Sequence, residues 1–565
     1  MSNPDYSCTV VGKYDLWRIA DIFLLRYICY NLKQSTKRKK IMKKHLLTTA
    51  FAAGIISTSL YAQPGAPDPT FSTDGMVITA VSPAEDYGNS LVIQPDGKIL
   101  VGGFAKIGAD NQFALCRYNT DGNLDNTFST DGMLTTPAGT FAGGAGMALQ
   151  PDGKILLGGY GKPGANLDFV VVRYNSDGSI DNTFSGDGIA SAAVGAGLDV
   201  GSCMALQTDG KIIVAGKTNN GTNNDFGLVR FNADGTMDAG FGTAGVVTTA
   251  FPGGAAEPRC MAIQSDGKII VAGLCNTAGS PYAIARYNTD GTLDNTFDSD
   301  GKLSGFYMAG GSSVTNAIAI LADGKILVGG EGRSAASGSD RDFAIVKLNT
   351  DGTTDASFGT AGVVVTNFDT EHDNLNALIV QPDGKIVTGG YAYTGTTLLE
   401  FALVRYNADG SVDGTFGAGG KVVTEMGPGG NQIMALALQA DGKIVAAGSV
   451  NAGATADFAL ARYLVSGSSS NIGSANTDVA QMVVYPNPAQ NTIMIQYETQ
   501  TPTGISIDLV AADGRKIESD LQHEKHAAGN YTRSINISQD VPNGVYFIVL
   551  TTATGTTSAK ISLQR

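Results

Sequence analysis

Few residues in this sequence could do acid–base or metal chemistry. Beyond residue 62 there are three histidines, His372, His523 and His526, too few for a histidine triad or a multi-histidine metal centre within one chain. His372 lies in the acidic run Asp369-Thr370-Glu371-His372-Asp373, which could bind a cation. The position of Asp373 holds Asp86 in one other repeat and Ala142 in another, so the run reads as a solvated loop. Polysaccharide hydrolysis would need two or three carboxylates, or a Tyr/Arg pair, brought to one place. The charges special to single repeats, which could meet in that way, are Asp369, Glu371, Glu331, Arg333, Arg341 and Glu400.

Other candidate groups have structural explanations. The Asn119-Thr120-Asp121-Gly122 turn, with Asp125 after it, is oxygen-rich but lacks the order of an EF-hand loop. Asp and Asn in such turns bond their own backbone. Cys116, Cys203, Cys260 and Cys275 show neither a metal-ligand nor a disulfide spacing. Cys203 and Cys260 share a repeat position and could bond if adjacent, but buried free thiols are the expected state. Gly143-Gly144-Ala145-Gly146 and Gly253-Gly254 are expected between strands, without the helix N-terminus that a phosphate cradle needs. No catalytic, cofactor-binding or metal-binding residue is assigned.

What must position these groups is a repeat. Asp-Gly-Lys recurs at Asp96, Asp152, Asp209, Asp266, Asp323, Asp383 and Asp441, a period of about 57 residues. Arg117, Arg173, Arg230, Arg286, Lys347, Arg405 and Arg462 keep step with it, as do Phe71, Phe128, Phe184, Phe241, Phe297, Phe358 and Phe416. Side chains that recur in every copy, the hairpin lysines Lys98 to Lys443 among them, read as structural. Asp168 with Arg173, and Asp225 with Arg230, suggest ion pairs between repeats. In the first copy, strands are predicted at 76–80, 90–93, 98–104 and 113–119. The hairpin Gln94-Pro95-Asp96-Gly97-Lys98 joins the second to the third, with Gly97 left-handed.

Strands such as 317–321 and 377–381 are apolar at nearly every position and need cover on both faces. Four-stranded sheets stacked face to face about an axis supply that cover. The matched segment begins and ends in mid-repeat, Asp68-Pro69-Thr70-Phe71 supplying what is lacking after Arg462-Tyr463. The expectation is therefore a closed, all-β, seven-bladed propeller, in which strand 76–80 completes the last blade. The connections that differ most are 162–167, 218–224, 333–340, 391–399 and 451–456. Tyr160, Tyr391 and Tyr393 near them could offer stacking faces to a glycan or protein.

Net charge is −14, with 74 Gly and 16% charged residues, which excludes a basic nucleic-acid surface. The first 62 residues hold 10 of the 38 Lys+Arg and 3 of the 52 Asp+Glu, leaving −21 beyond them. Met42-Lys43-Lys44 and the apolar stretch 46–60 form a secretory signal over 42–62, with cleavage expected between Ala62 and Gln63. Residues 1–41 read as an extension ahead of the true start. No transmembrane helix is expected in the mature protein. The ring is assigned to 63–465 and a Ser/Gly-rich linker to 466–481, with a small Ig-like β-sandwich over 482–565.

Two family resemblances follow from quoted strings. Gln-Pro-Asp-Gly-Lys-Ile, Phe-Ala-Leu-x-Arg-Tyr-Asn-x-Asp-Gly and Leu-Asp-x-Thr-Phe resemble the delta-60 repeats of bacterial secreted proteins, a propeller-forming family without a general activity. Residues 482–565 resemble the type A sorting domain of the type IX secretion system of Bacteroidetes. The match rests on Tyr485, Pro486, Asn487 and Pro488, then Asp513-Gly514-Arg515, then Gly544, Val545 and Tyr546, and Lys560 near the end. That resemblance implies partnership with the secretion machinery and passage through the periplasm, to release or to attachment at the outer surface. The function expected is a non-catalytic binding scaffold; the alternative is an extracellular polysaccharide-degrading enzyme.

Overall fold

The structure is a computed structural model that describes residues 63–465 and 479–563, apart from 253, 277–280, 308–310, 334–339, 369–371, 394–397, 454, 486–491, 500, 512–515, 543 and 553–555. Seven four-stranded antiparallel sheets form the ring, and none of the described residues is helical. Blade 1 runs from its inner strand Asp86–Ile93 through Ile99–Ile107 and Asp110–Tyr118 to the outer strand Met133–Thr136. Inner strands of neighbouring blades contact one another all the way round, including blade 1 with blade 7.

Blade 7 contributes Asn431–Leu438, Ile444–Asn451 and Ala456–Tyr463, and Met76–Thr79 adds its outer strand, pairing Met76 with Ala461 and Thr79 with Phe458. The expected closure is what the chain builds. Each interface between blades holds its own apolar cluster. The one that closes the ring places Phe71, Ile99, Val101 and Cys116 against Val445, Ala447, Phe458 and Leu460. The second and third strands are buried on both faces, while the inner strands turn alternate residues to the channel.

One hairpin glycine and one strand glycine show how the sequence imposes this shape. Gly97 has φ +85°, the left-handed residue that the hairpin requires. Gly103 faces a β-bulge in the inner strand, and a Cβ there would lie 1.8 Å from the Tyr87 carbonyl oxygen. The same bulge recurs in every inner strand, at Asn89, Ala145, Ser202, Arg259, Asn316, Asn376 and Met434. The extra residue re-aims a side chain, and here all seven line the central channel.

The C-terminal residues form two antiparallel sheets. One contains Val479–Tyr485, Thr492–Thr499 and Gly529–Asn536; the other contains Thr503–Ala511, Lys516–His526, Gly544–Thr551 and Thr556–Leu563. Ile493, Ile495, Ile507, Ile548, Leu550 and Ile561 pack between them, giving the sandwich expected from the sequence.

Candidate functional site

The two rims of the ring differ in kind. One carries the hairpin turns and the Asx turns, and its side chains repeat. Asp125 Oδ2 accepts from Lys98 Nζ at 2.8 Å and from Arg117 Nε at 2.7 Å, while Oδ1 accepts from the Thr127 hydroxyl at 2.7 Å. The guanidinium lies over Phe128, 4.5 Å from the ring centre, and reaches the Ser176 carbonyl of blade 2. Asp68, Asp181, Asp238, Asp294, Asp355 and Asp413 hold the same post. In blade 5, Lys347 stands in for Arg, 3.6 Å from Asp355. Burial alone would raise the Asp68 carboxyl; hydrogen bonds from Thr70 and Lys443, with the Arg462 charge, outweigh it and lower it to about 2. The recurring Lys, Arg and Phe are thus one clamp that joins each blade to the next.

This corrects the pairing expected from sequence. Arg173 meets Asp181, eight positions on, and Arg230 meets Asp238; Asp168 and Asp225 are not their partners. Residues five apart in a strand point to opposite faces, so Asp168 cannot reach Arg173 within the sheet. In the Asx turn, Asp121 Oδ1 accepts from the Asn123 N–H at 3.0 Å, as the sequence suggests. Gly143 to Gly146 do not lie between strands: they open the inner strand of blade 2. A Cβ at Gly146 would meet Met204 N of blade 3 at 2.6 Å.

The opposite rim carries the connections between second and third strands and between blades. Here the side chains diverge. Six residues after each hairpin lysine stand Phe104, Tyr160, Lys217, Leu274, Glu331, Tyr391 and Ser449. Tyr160 stacks on Phe141, with ring centres 6.2 Å apart and planes at 29°, and Phe141 is 47% exposed. Leu198, on the next connection, is also exposed. Lys217 of blade 3 bridges to Glu257 of blade 4 at 3.2 Å, and Asn224 Nδ2 donates to the same carboxylate. Tyr160, Lys217 and Glu257 border the central channel, a cavity of about 720 Å³.

Within the channel, bulge residues link the blades. Asn89 donates to the Gly144 carbonyl at 3.0 Å, Asn316 to Asn374 Oδ1 and the Leu375 carbonyl at 2.9 Å, and Asn376 to the Ile433 carbonyl at 2.9 Å. Cys203 and Cys260 are free thiols, and each contacts a carbonyl of its neighbouring strand at 3.7 Å.

Acidic groups converge at the seam between blades 5 and 6. Glu331 Oε1 accepts from Arg341 Nη1 at 2.6 Å, and the Asp373 N–H donates to the Arg341 carbonyl at 2.7 Å. Burial raises the Asp373 carboxyl to about 7, with the charges of Asp342 and Asp340 adding to the shift against the Phe368 N–H. Burial also raises Asp342, again with Asp340 contributing. Glu331 Oε2, Asp342 Oδ1, His372 Nδ1 and Asp373 Oδ1 are buried atoms without a hydrogen-bond partner among the described residues. Where a solvated loop is expected, Asp373 is buried, 1% exposed, and His372 is half-buried; the rest of the acidic run lies outside the described residues. Tyr391 adjoins Glu331 and Arg341, whose charges both act on its hydroxyl. Glu400 sits at the next seam, held by Asn431 Nδ2 at 2.8 Å. Arg333 ends a strand of blade 5, and Asp369 and Glu371 lie outside the described residues.

Of the residues expected from the sequence to serve export, Ala62, Pro486, Asn487 and Pro488 lie outside the described residues. Gln63 is exposed, and Tyr485 and Lys560 fall in strands of the sandwich. Gly544 and Val545 open a strand in which Tyr546 is buried, its hydroxyl donating to the Pro542 carbonyl at 2.8 Å. No group of three His, Cys, Asp or Glu among the described residues is placed to hold a metal ion. No helix among them is long and apolar enough to cross a membrane.

A family profile described as a domain of unknown function (DUF5122) beta-propeller matches the chain at residues 94–128, 150–184, 207–241, 264–297, 321–358, 381–416 and 439–469. A second profile, described as a secretion system C-terminal sorting domain, matches residues 483–564. No curated protein matches the chain. Among solved structures it is similar to PorZ, a surface component of the type-IX secretion system of Porphyromonas gingivalis. Identity there is 12% and the TM-score 0.34, over 84% of this chain and 59% of PorZ. It is also similar to a polysaccharide lyase, PL25 ulvan lyase, at 13% identity and TM-score 0.39, over 72% of this chain and 95% of that one. A third is Sqt1 from Chaetomium thermophilum, at 12% identity and TM-score 0.35, over 68% of this chain and 97% of that one.

Proposed function

The chain belongs to the DUF5122 β-propeller family and carries a secretion-system sorting domain, and on that basis we propose that it is an exported binding scaffold. The sorting domain implies engagement with the secretion machinery and delivery to the cell surface or beyond it. In this reading, residues 42–62 direct the chain to the periplasm, cleavage follows Ala62, and the sorting domain takes the ring across the outer membrane.

One observation carries the binding role. The ring separates a clamp rim, where Asp, Lys, Arg and Phe recur blade after blade, from a rim where one structural position holds six kinds of side chain in seven blades. Repeated groups hold the scaffold; groups that differ between blades are the ones free to read a ligand. Phe141 and Tyr160 offer a stacked aromatic face at the channel mouth, next to the polar Lys217–Glu257 pair. A glycan takes such a combination, its ring faces on the aromatics and its hydroxyls on the polar groups. The test is a glycan array with the purified chain, followed by Phe141→Ala and Tyr160→Ala. The reading requires a glycan hit that both variants weaken about tenfold or more, and fails if bound glycans are indifferent to both.

The blade 5–6 seam favours a second reading, that of a polysaccharide-degrading enzyme. Glu331, Arg341, Asp373 and Tyr391 meet there, and a carboxyl that titrates near 7 suits a general acid. A hydrolysis screen with native chain, Glu331→Gln and Asp373→Asn separates the two: turnover lost in either variant establishes chemistry at the seam.

A further inference from the structure

The bulged ring of the channel contains one charged side chain, Arg259, and it is exposed to the cavity. The clamp arginines sit against carboxylates, as Arg341 does against Glu331. No carboxylate lies within ion-pair distance of Arg259 among the described residues. Its neighbours around the ring are Ser202 and Asn316, and Asn316 spends its amide N–H groups on blade 6. The acidic residue bordering the cavity, Glu257, is already held by Lys217 and Asn224. In a chain of net charge −14, the channel therefore carries one guanidinium with no counter-charge of its own. The bulge, which Gly273 opposite it permits, aims that fork of N–H donors inward.

A guanidinium in a concave site binds an oxyanion through paired N–H···O bonds. A cavity of about 720 Å³ has room for a sugar unit or two behind the mouth. We propose that Arg259 is an oxyanion subsite, receiving the carboxylate or sulfate ester of an acidic sugar whose neighbouring unit stacks at Phe141 and Tyr160. The inference rests on the binding reading above and names its ligand class: acidic, not neutral, oligosaccharides. Ser202, one blade away, supplies a hydroxyl on the ligand's side of the ring.

The test is isothermal titration of the full chain with tetragalacturonate, its methyl-esterified counterpart and a sulfated galactan oligomer. The acidic oligomers should bind at least tenfold more tightly than the ester, with the preference shrinking as salt rises. Arg259→Gln should erase that preference and Arg259→Lys should keep part of it, each with the native melting temperature because the side chain is exposed. Galacturonate and galactan arms that differ would tell a carboxylate site from a sulfate site. Equal affinity for acid and ester, no binding of either acidic oligomer, or a preference that survives Arg259→Gln overturns the inference. If the preference persists while Tyr160→Ala changes nothing, the rim reading falls and the subsite stands. If neutral oligomers bind through Tyr160 without any acid preference, the reverse holds.

Discussion

Asp86 and Asp373 occupy the same position in blades 1 and 6, yet only Asp86 of the two has a donor on each carboxylate oxygen. Its Oδ2 accepts from the Val81 and Ser82 N–H groups at 2.8 Å, and its Oδ1 from the Ser82 hydroxyl at 2.7 Å. Asp373 Oδ2 accepts from the Phe368 N–H at 2.8 Å, while Oδ1 has no partner among the described residues and faces the charges of Asp342 and Asp340.

A pH dependence follows. The Asp373 carboxyl titrates near 7 when folded, above its ordinary value of about 4, so the folded state binds the proton more tightly. Its contribution to stability is complete below about pH 4 and is lost as pH rises through about 7. Urea unfolding of native chain and Asp373→Asn at pH 5 and pH 9 should show the variant the more stable at pH 9, by on the order of 2 kcal/mol or more. Matching pH slopes in the two proteins would refute this.

The clamps act in the opposite direction. Asp68 is lowered to about 2, so its contribution is present above about pH 4 and lost as pH falls through 2. Asp181→Ala leaves the buried Arg173 without its carboxylate and should cost about 3–5 kcal/mol in thermal or urea unfolding. Lys154→Met, at the same carboxylate but half-buried, should cost under about 1 kcal/mol.

Gly330 is a third test. Its missing Cβ would lie 1.8 Å from the Val314 carbonyl oxygen, so Gly330→Ala must push the bulge of blade 5 apart, at about 2 kcal/mol or more. Gly164→Ala, in a loop with nothing within 4 Å, should change the melting temperature little.

Export gives a fourth. A chain ending at residue 481 should fold and accumulate in the periplasm of its native host, as read by cell fractionation. Normal surface delivery of that truncation would overturn the role given to residues 482–565.

How much of this was legible depended on what recurs. The hairpin turn and the clamp residues each leave a mark every 57 residues or so and yielded the ring and the structural role of Lys98 and Arg117, while the single mid-repeat start yielded its closure. The clamp partner was misassigned because Asp168 is nearer in sequence than Asp181; strand alternation excludes it, and the turn brings Asp181 back. The bulges were missed although they left a signal: a glycine five residues after each hairpin lysine, Gly103 to Gly448, inside an otherwise apolar strand. The bulged residue itself gives none, being Asn, Ala, Ser, Arg or Met by turns. The Asp342–Asp373 seam was out of reach for a different reason. Pairs with the same 31-residue separation stand at Asp168 and Asp199 and at Glu400 and Asn431, but that their members meet comes from blade packing, which the spacing alone does not show.

The outer strand of blade 7 also orders events in time. Arg462 donates to Asp68 at 2.8 Å over 394 positions of sequence, and Met76–Thr79 must wait for Ala456–Tyr463 before it has a partner. Closing so long a loop adds only a few kcal/mol of entropy cost, since that cost grows with the logarithm of length, but it makes ring closure a late and slow step. Until then both edges of the nascent ring stay open, and the half-built arc is the species a chaperone or protease would meet. Joining residue 465 to residue 63 and opening the chain between blades instead would move that vulnerable joint without altering the finished circle.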